Sequence, residues 1–188
     1  MSLVSNLFLL FVAASILIYY IVPRKSQWIV LLIFSYLYYI AGGPRYVVFI
    51  LFSTLVTWLM ALLIEKAEGK ENHKGARKLL ILGLILNFGM LGIVKYTNFA
   101  LENINALLHL NLRGIQLLLP LGISFYTFQS SGYLLDVYWK RCKAERHPLK
   151  YALFVSFFPQ ILQGPIGRYS RLADQLYAEH RFEGNNII

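Results

Sequence analysis

Charge is scarce in this sequence. Only 14% of its 188 residues are Asp, Glu, Lys or Arg, against roughly 25% in a soluble domain, which excludes an ordinary water-solvated surface. Cysteine is nearly absent. Cys142 stands alone, so it has no intrachain disulfide partner, and no Cys or His lies at metal-ligand spacing from it; it reads as a loop thiol. The histidines His73, His109, His147 and His180 are scattered, and none has the second ligand that a zinc site requires. None is followed by aspartate at the spacing used by one class of glycerolipid acyltransferases. A nucleophile elbow is missing, because Gly122-Ile-Ser124-Phe-Tyr126 lacks the closing glycine. There is no phosphate-binding glycine loop and no dinucleotide fingerprint. The opening residues carry no positive charge and precede no clear cleavage site, so the first apolar segment reads as a retained membrane helix.

Apolar sequence is abundant, and it comes in blocks. Leu3 to Val22 has no charged residue and ends at Pro23-Arg24-Lys25; about 20 apolar residues at 1.5 Å each cross a hydrocarbon core of about 30 Å. Trp28 to Ala41 is shorter and closes at Gly42-Gly43-Pro44, so it crosses with its flanks or only dips in. Tyr46 to Ile64 and Leu79 to Val94 are the next two blocks, separated by a polar loop from Glu65 to Lys78. From Asn98 to Arg113, polar Asn98, Glu102, Asn105, His109 and Arg113 alternate with Leu101, Ile104, Leu108 and Leu112 at helical spacing. That pattern predicts a separate amphipathic helix.

A fifth span is predicted from Pro120, which suits a first helical turn, to about Trp139. Tyr126, Gln129, Ser130 and Tyr133 share one of its faces. An amide and hydroxyls facing lipid would cost several kcal/mol each, so that face is expected to meet protein or a cavity. Leu149 to Leu162 is interrupted by Pro159 and followed by Gly164-Pro165-Ile166-Gly167-Arg168. Broken backbone at membrane depth is tolerated only when buried in protein or lining water, which predicts a re-entrant element. The stretch from Asp174 to Ile188 is polar and reads as a tail without a closing element. The expected fold is an all-α polytopic membrane protein with about five transmembrane helices, an amphipathic helix and a re-entrant segment, with residues 1–188 as the N-terminal part of a single membrane-embedded domain.

The net charge of +9 sits between the apolar blocks, where it reads as topology rather than as a nucleic-acid footprint. With the N-terminus outside, the inward loops hold Arg24, Lys25, Lys66, Lys70, Lys74, Arg77, Lys78, Lys140, Arg141, Lys143, Arg146 and Lys150, and the outward segments hold only Arg45, Lys95 and Arg113. The expected location is therefore the plasma membrane, with the basic loops cytoplasmic. Asp136, near the end of the fifth span, is expected to pair with Lys140 four positions on or to serve as a polar anchor. Arg168 either holds an anionic group or anchors the chain at the interface.

Two stretches go further. Leu119-Pro-Leu-Gly-Ile-Ser-Phe-Tyr-Thr-Phe-Gln129 with Tyr133-Leu-Leu-Asp136-Val-Tyr138, and Phe157-Phe-Pro-Gln160-Ile-Leu-Gln-Gly164-Pro165-Ile-Gly-Arg168-Tyr169, together resemble the membrane-bound O-acyltransferase family. The wording is nearer its bacterial alginate O-acetyltransferase branch than its D-alanyl transfer branch. The match covers roughly Leu119 to Leu176 and implies an enzyme moving an acyl group onto a hydroxyl of a cell-surface polysaccharide. The resemblance implies a lipid-embedded protein with an acyl donor, a polysaccharide acceptor and accessory acyl-transfer proteins; no bound cofactor, metal or nucleic acid is expected. The family's catalytic histidine lies in a later segment without counterpart here, so no catalytic residue is assigned. The chain is expected to be an incomplete, inactive N-terminal part. Gln129, Ser130, Tyr133, Asp136, Gln160, Gly164, Pro165 and Arg168 are expected to wall a substrate cavity. A non-catalytic scaffold or partner-binding protein is the alternative. A transporter ranks last, since neither paired intramembrane charges nor an internal repeat is seen.

Overall fold

A computed structural model describes residues 6–108, 120–163 and 167–180. Among these residues the chain is helical throughout, with no strand. The helices are α1 (Asn6–Ile21), α2 (Gln27–Gly42), α3 (Val47–Gly69), α4 (His73–Leu108), α5 (Ile123–Tyr138), α6 (Pro148–Ser156), α7 (Phe158–Gln163) and α8 (Tyr169–Tyr177). Short 3-10 turns at Arg24–Ser26 and Pro44–Tyr46 join the first three.

Side chains are sorted as lipid would sort them. Leu10, Ile21, Val48, Ile85 and Ile93 are exposed, whereas Ser35, Ser53, Thr57, Asn87, Thr127, Gln129 and Ser130 are buried. α3 and α4 are long and apolar enough to cross a membrane. α1, α2 and α5 have 16 residues each, a rise of about 24 Å, so each needs flanking residues to reach across about 30 Å.

Three sequence expectations are corrected. The polar loop foreseen from Glu65 to Lys78 is mostly helix: α3 runs to Gly69 and α4 starts at His73, because Glu, Lys and Ala favour helix once the apolar part has nucleated it. The amphipathic segment is not separate. Residues 98–108 continue α4 without a break, since nothing between Val94 and Asn98 stops a helix; Thr97 and Asn103 return their side chains to the Ile93 and Phe99 carbonyls. The rest of that segment, including His109 and Arg113, lies outside the described residues. Residues 169–177, partly expected as polar tail, form α8, with Tyr169, Ala173 and Leu176 buried.

α3 is the axis of the fold, packed along α4 on one side and α5 on another. A polar clasp closes the first contact. Ser53 Oγ donates to Asn87 Oδ1 (2.6 Å), and Asn87 Nδ2 donates to Thr57 Oγ1 (3.0 Å) and to the Gly83 carbonyl (3.0 Å). A Cβ on Gly83 would lie 2.8 Å from Leu134 Cδ1, so this glycine lets α5 approach α4. Asn87→Leu keeps the bulk but strands both hydroxyls. It is expected to cost about 2 kcal/mol, given roughly 0.6 to 1.7 kcal/mol per interhelical bond in a membrane protein; denaturant unfolding in detergent measures it. An unchanged midpoint would show the clasp to be dispensable.

The break between α6 and α7 sits at Phe157, two residues before Pro159. Proline in a helix interior would collide with the carbonyl four residues back and donate nothing, whereas in the first turn of a new helix it does neither. Two of the backbone groups freed at the break find side chains. The Phe158 N–H donates to Ser35 Oγ (3.3 Å), and the Phe154 carbonyl accepts from Gln129 Nε2 (3.2 Å). The break thus ties α6 and α7 to α2 and α5.

A cleft between α5 and α8

The middle of α5 carries the predicted polar face, and that face is covered. Tyr126, Gln129, Ser130 and Tyr133 are all at most 2% exposed. Gln129 donates from Nε2 to Gln160 Oε1 (3.0 Å) as well as to Phe154. Ser130 Oγ accepts from Tyr151 (3.5 Å). The Tyr133 ring lies 4.7 Å from both Tyr151 and Tyr169, and its hydroxyl accepts from the Glu145 N–H (2.8 Å).

α5 ends in a left-handed residue, Lys140 (φ 57°). Lys140 N–H bonds the Val137 carbonyl (3.0 Å) and Arg141 N–H bonds the Asp136 carbonyl (2.8 Å), the pairing of a Schellman turn. That turn decides which base meets Asp136. It folds Arg141 back over the residue it caps, so Arg141 Nη1 sits 3.6 Å from Asp136 Oδ1. The expected Asp136–Lys140 pair does not form. Lys140 is directed to Glu68 instead (3.1 Å), a carboxylate it shares with His73 (2.9 Å).

The loop after α5 is clipped down by carboxylates the sequence did not single out. Glu65 accepts from the Ala144 N–H (3.1 Å) and from Arg146. Trp58 Nε1 donates to the Glu145 carbonyl (2.9 Å), and Tyr169 donates from its hydroxyl to Glu145 Oε2 (2.6 Å). Glu145 therefore holds the start of α8 against the end of α5. Between them lies a cleft of about 150 Å³, with Gln129, Gly132, Tyr133, Asp136, Arg168 and Tyr169 in its wall. Four of the eight residues predicted for a substrate cavity meet here. Gln160 flanks the cleft through Gln129 and comes within 2.6 Å of where a Cβ on Gly167 would stand. Ser130 is buried behind the wall, and Gly164 and Pro165 lie outside the described residues. Arg168 is exposed and makes no ion pair among the described residues. Two larger grooves, about 500 and 440 Å³, are lined almost wholly by apolar side chains, with Tyr36 and Thr54 supplying hydroxyls in the first.

Sequence comparison places these motifs among known enzymes. The chain is 35% identical over 178 residues to the probable alginate O-acetylase AlgI of Pseudomonas syringae pv. tomato, covering 91% of this chain and 34% of that protein. It is 33% identical over 178 residues, with the same coverage, to the probable alginate O-acetylase AlgI of Pseudomonas aeruginosa. It is 34% identical over 172 residues to the peptidoglycan O-acetyltransferase of Helicobacter pylori, covering 79% of this chain and 32% of that protein. These similarities bear out the resemblance to the membrane-bound O-acyltransferase family. It spans about a third of the length of these curated relatives. No family model and no solved structure matches it.

In this chain the described histidines other than His73 also have structural partners. His180 Nδ1 meets the Tyr19 hydroxyl (2.8 Å), and its backbone exchanges two bonds with the Gln27 amide (3.0 and 3.1 Å), tying the segment after α8 to α1 and α2. His147 packs edge-on against Trp28 at 5.4 Å. No cluster of metal-binding residues occurs among the described residues. Glu65, Glu68 and Glu145 escaped the sequence reading because surface carboxylates in basic loops look solvated, and no sequence spacing links Glu65 or Glu68 to the basic run from Lys140 to Arg146.

Cys142 lies in the loop after α5. Burial, with the carboxylates of Asp136 and Glu65 adding to it, pushes its thiol up to about 11. Only the thiolate reacts with alkylating agents. Iodoacetamide at pH 8 is therefore expected to label Cys142 about a hundredfold more slowly than a free thiol, with the rate climbing until the pH nears 11. Labelling at the free-thiol rate would mean that the loop is not clipped down.

Proposed function

We propose that this chain is part of an enzyme that transfers an acetyl group to hydroxyls of a cell-surface polysaccharide. The observation that carries the reading is its similarity, over most of its length, to O-acetylases of two different polymers, alginate and peptidoglycan. In this reading the chain supplies a lipid-embedded scaffold and the wall of a substrate cavity, and Gln129, Ser130, Tyr133, Asp136, Gln160, Gly164, Pro165 and Arg168 belong to that wall. Attack by an acceptor hydroxyl needs a general base, and the chain alone is inactive because it does not supply one. The chain crosses the plasma membrane about five times with its N-terminus outside, its basic loops cytoplasmic and a re-entrant element after α7. The acyl donor and any accessory acyl-transfer proteins meet the complete enzyme rather than this part.

A chimera tests the proposal. The matching third of the Pseudomonas syringae relative is replaced by this chain, and the product is expressed in a strain that makes alginate but lacks its own acetylase. Proton NMR of the isolated polymer is expected to show O-acetyl signals with the chimera and none with the 188-residue chain alone. A chimera that reaches the membrane at normal levels but leaves the polymer bare would count against the reading. Acetylation by the short chain alone would refute its inactivity.

A further inference from the structure

The cleft between α5 and α8 has a donor–acceptor pattern that selects a ligand. Its cation is Arg168, exposed and in no ion pair among the described residues, whereas the neighbouring bases Lys140, Arg141 and Arg146 are each engaged by a carboxylate. Arg168 is also the N-cap of α8, and no side chain caps that end. The first-turn N–H groups of a nine-residue helix therefore follow directly on the residue that carries the guanidinium. The acceptor is deeper. Gln129 is 2% exposed, and its Oε1 is buried without a partner. The amide cannot be turned round to hide this, because its Nε2 already faces two acceptors, the Phe154 carbonyl and Gln160 Oε1. Asp136, the one carboxylate in the wall, has Oδ1 beside Arg141, which offsets its repulsion of an anion. Gly132 forms the floor, and a Cβ there would meet nothing within 4 Å.

We propose that this cleft binds the head of a hydroxylated phosphate ester, with the phosphate on Arg168 and the α8 N-terminus and an adjacent hydroxyl donating to Gln129 Oε1. Phosphate fits better than carboxylate, because its extra oxygens use both the guanidinium fork and the helix N–H groups. The hydroxyl follows from the buried acceptor, which an alkyl phosphate dianion with no hydroxyl of its own would leave unmatched. Such a group reaches the cleft either on a small soluble ester or as a lipid headgroup. The site needs no acyl transfer, so it stands or falls separately from the function proposed above.

The full chain in phosphatidylcholine nanodiscs is titrated with glycerol 3-phosphate by calorimetry. In parallel, native mass spectrometry counts phosphatidylglycerol retained from mixed-lipid discs. Binding of the soluble ester identifies the first source; retention of the lipid without it identifies the second. In either case Arg168→Gln and Gly132→Leu are each expected to weaken binding about tenfold or more, the first by removing the guanidinium fork and the second by filling the floor. Arg77→Gln, outside the cleft, is expected to change nothing. Binding of neither ester, wild-type affinity in both cleft variants, methyl phosphate binding as tightly as glycerol 3-phosphate, or D-glucuronate binding in place of glycerol phosphate would each overturn the proposal.

Discussion

Gly122→Val is expected to lower the thermal midpoint of the chain in detergent by about 6 to 12 °C, from a loss of about 3 kcal/mol. Gly122 is the N-cap of α5 and adopts the left-handed region (φ 68°). A β-branched residue there pays about 1 to 2 kcal/mol for its backbone alone. The rest comes from contact: a Cβ at Gly122 would stand 2.6 Å from Ile161 Cγ2, and Ile161 is a buried member of the core. Overpacking of this kind costs about 1 to 3 kcal/mol. Gly132→Ala, ten residues along the same region, is the control. Its Cβ meets open space, so removing a glycine from a helix interior is expected to be neutral or to stabilise by about 0.5 to 1 kcal/mol. Equal midpoints for the two variants would mean that the start of α5 is not held in the geometry described.

Gln129→Leu is expected to cost about 2 to 4 kcal/mol, because it strands two buried acceptors at once. The Phe154 carbonyl is one of the last in α6, with no helical N–H to receive because the helix breaks at Phe157. Gln129 Nε2 supplies that missing donor and reaches Gln160 Oε1 on α7 as well. Its loss should therefore loosen α7 as well as α5. Combining Gln129→Leu with Gln160→Leu is expected to cost less than the two single changes added together, by about 1 kcal/mol, since one bond is counted twice. Urea unfolding of the four species measures this coupling. Strict additivity would show that the two amides do not share a bond.

Both predictions concern the same feature: the cleft exists because backbone irregularities on either side of it are satisfied by particular side chains. The left-handed Gly122 sets where α5 begins, the Schellman turn at Lys140 sets where it ends, and the break at Phe157 lets α7 turn away. Glu145 then holds Tyr169, and with it Arg168, over the end of α5.

The sequence by itself determined the class of protein. Sparse charge, long apolar blocks and basic residues between them specify a helical membrane protein, because the hydrocarbon core admits no unpaired backbone polar group and few charges. It also carried the family resemblance, through the motifs around Gln129 and Gly164, and it determined the buried face of α5, since Tyr126, Gln129, Ser130 and Tyr133 follow one helical period. It did not settle helix ends. Glu65 to Gly69 and Asn98 to Leu108 look like loop and separate helix when read by polarity, yet both prolong helices already nucleated, and no glycine or proline stops them. Nor did it settle partners. Asp136 has bases four and five positions on, and local spacing favours the first; only the reversal of the chain at Lys140 gives it the second. The carboxylates Glu65, Glu68 and Glu145 could be assigned only once α3, the loop after α5 and α8 were seen side by side. Helical periods and apolar blocks are local properties, written within a few turns of chain. Ion pairs and the walls of a cleft join residues tens of positions apart, and only the packing of helices brings those together.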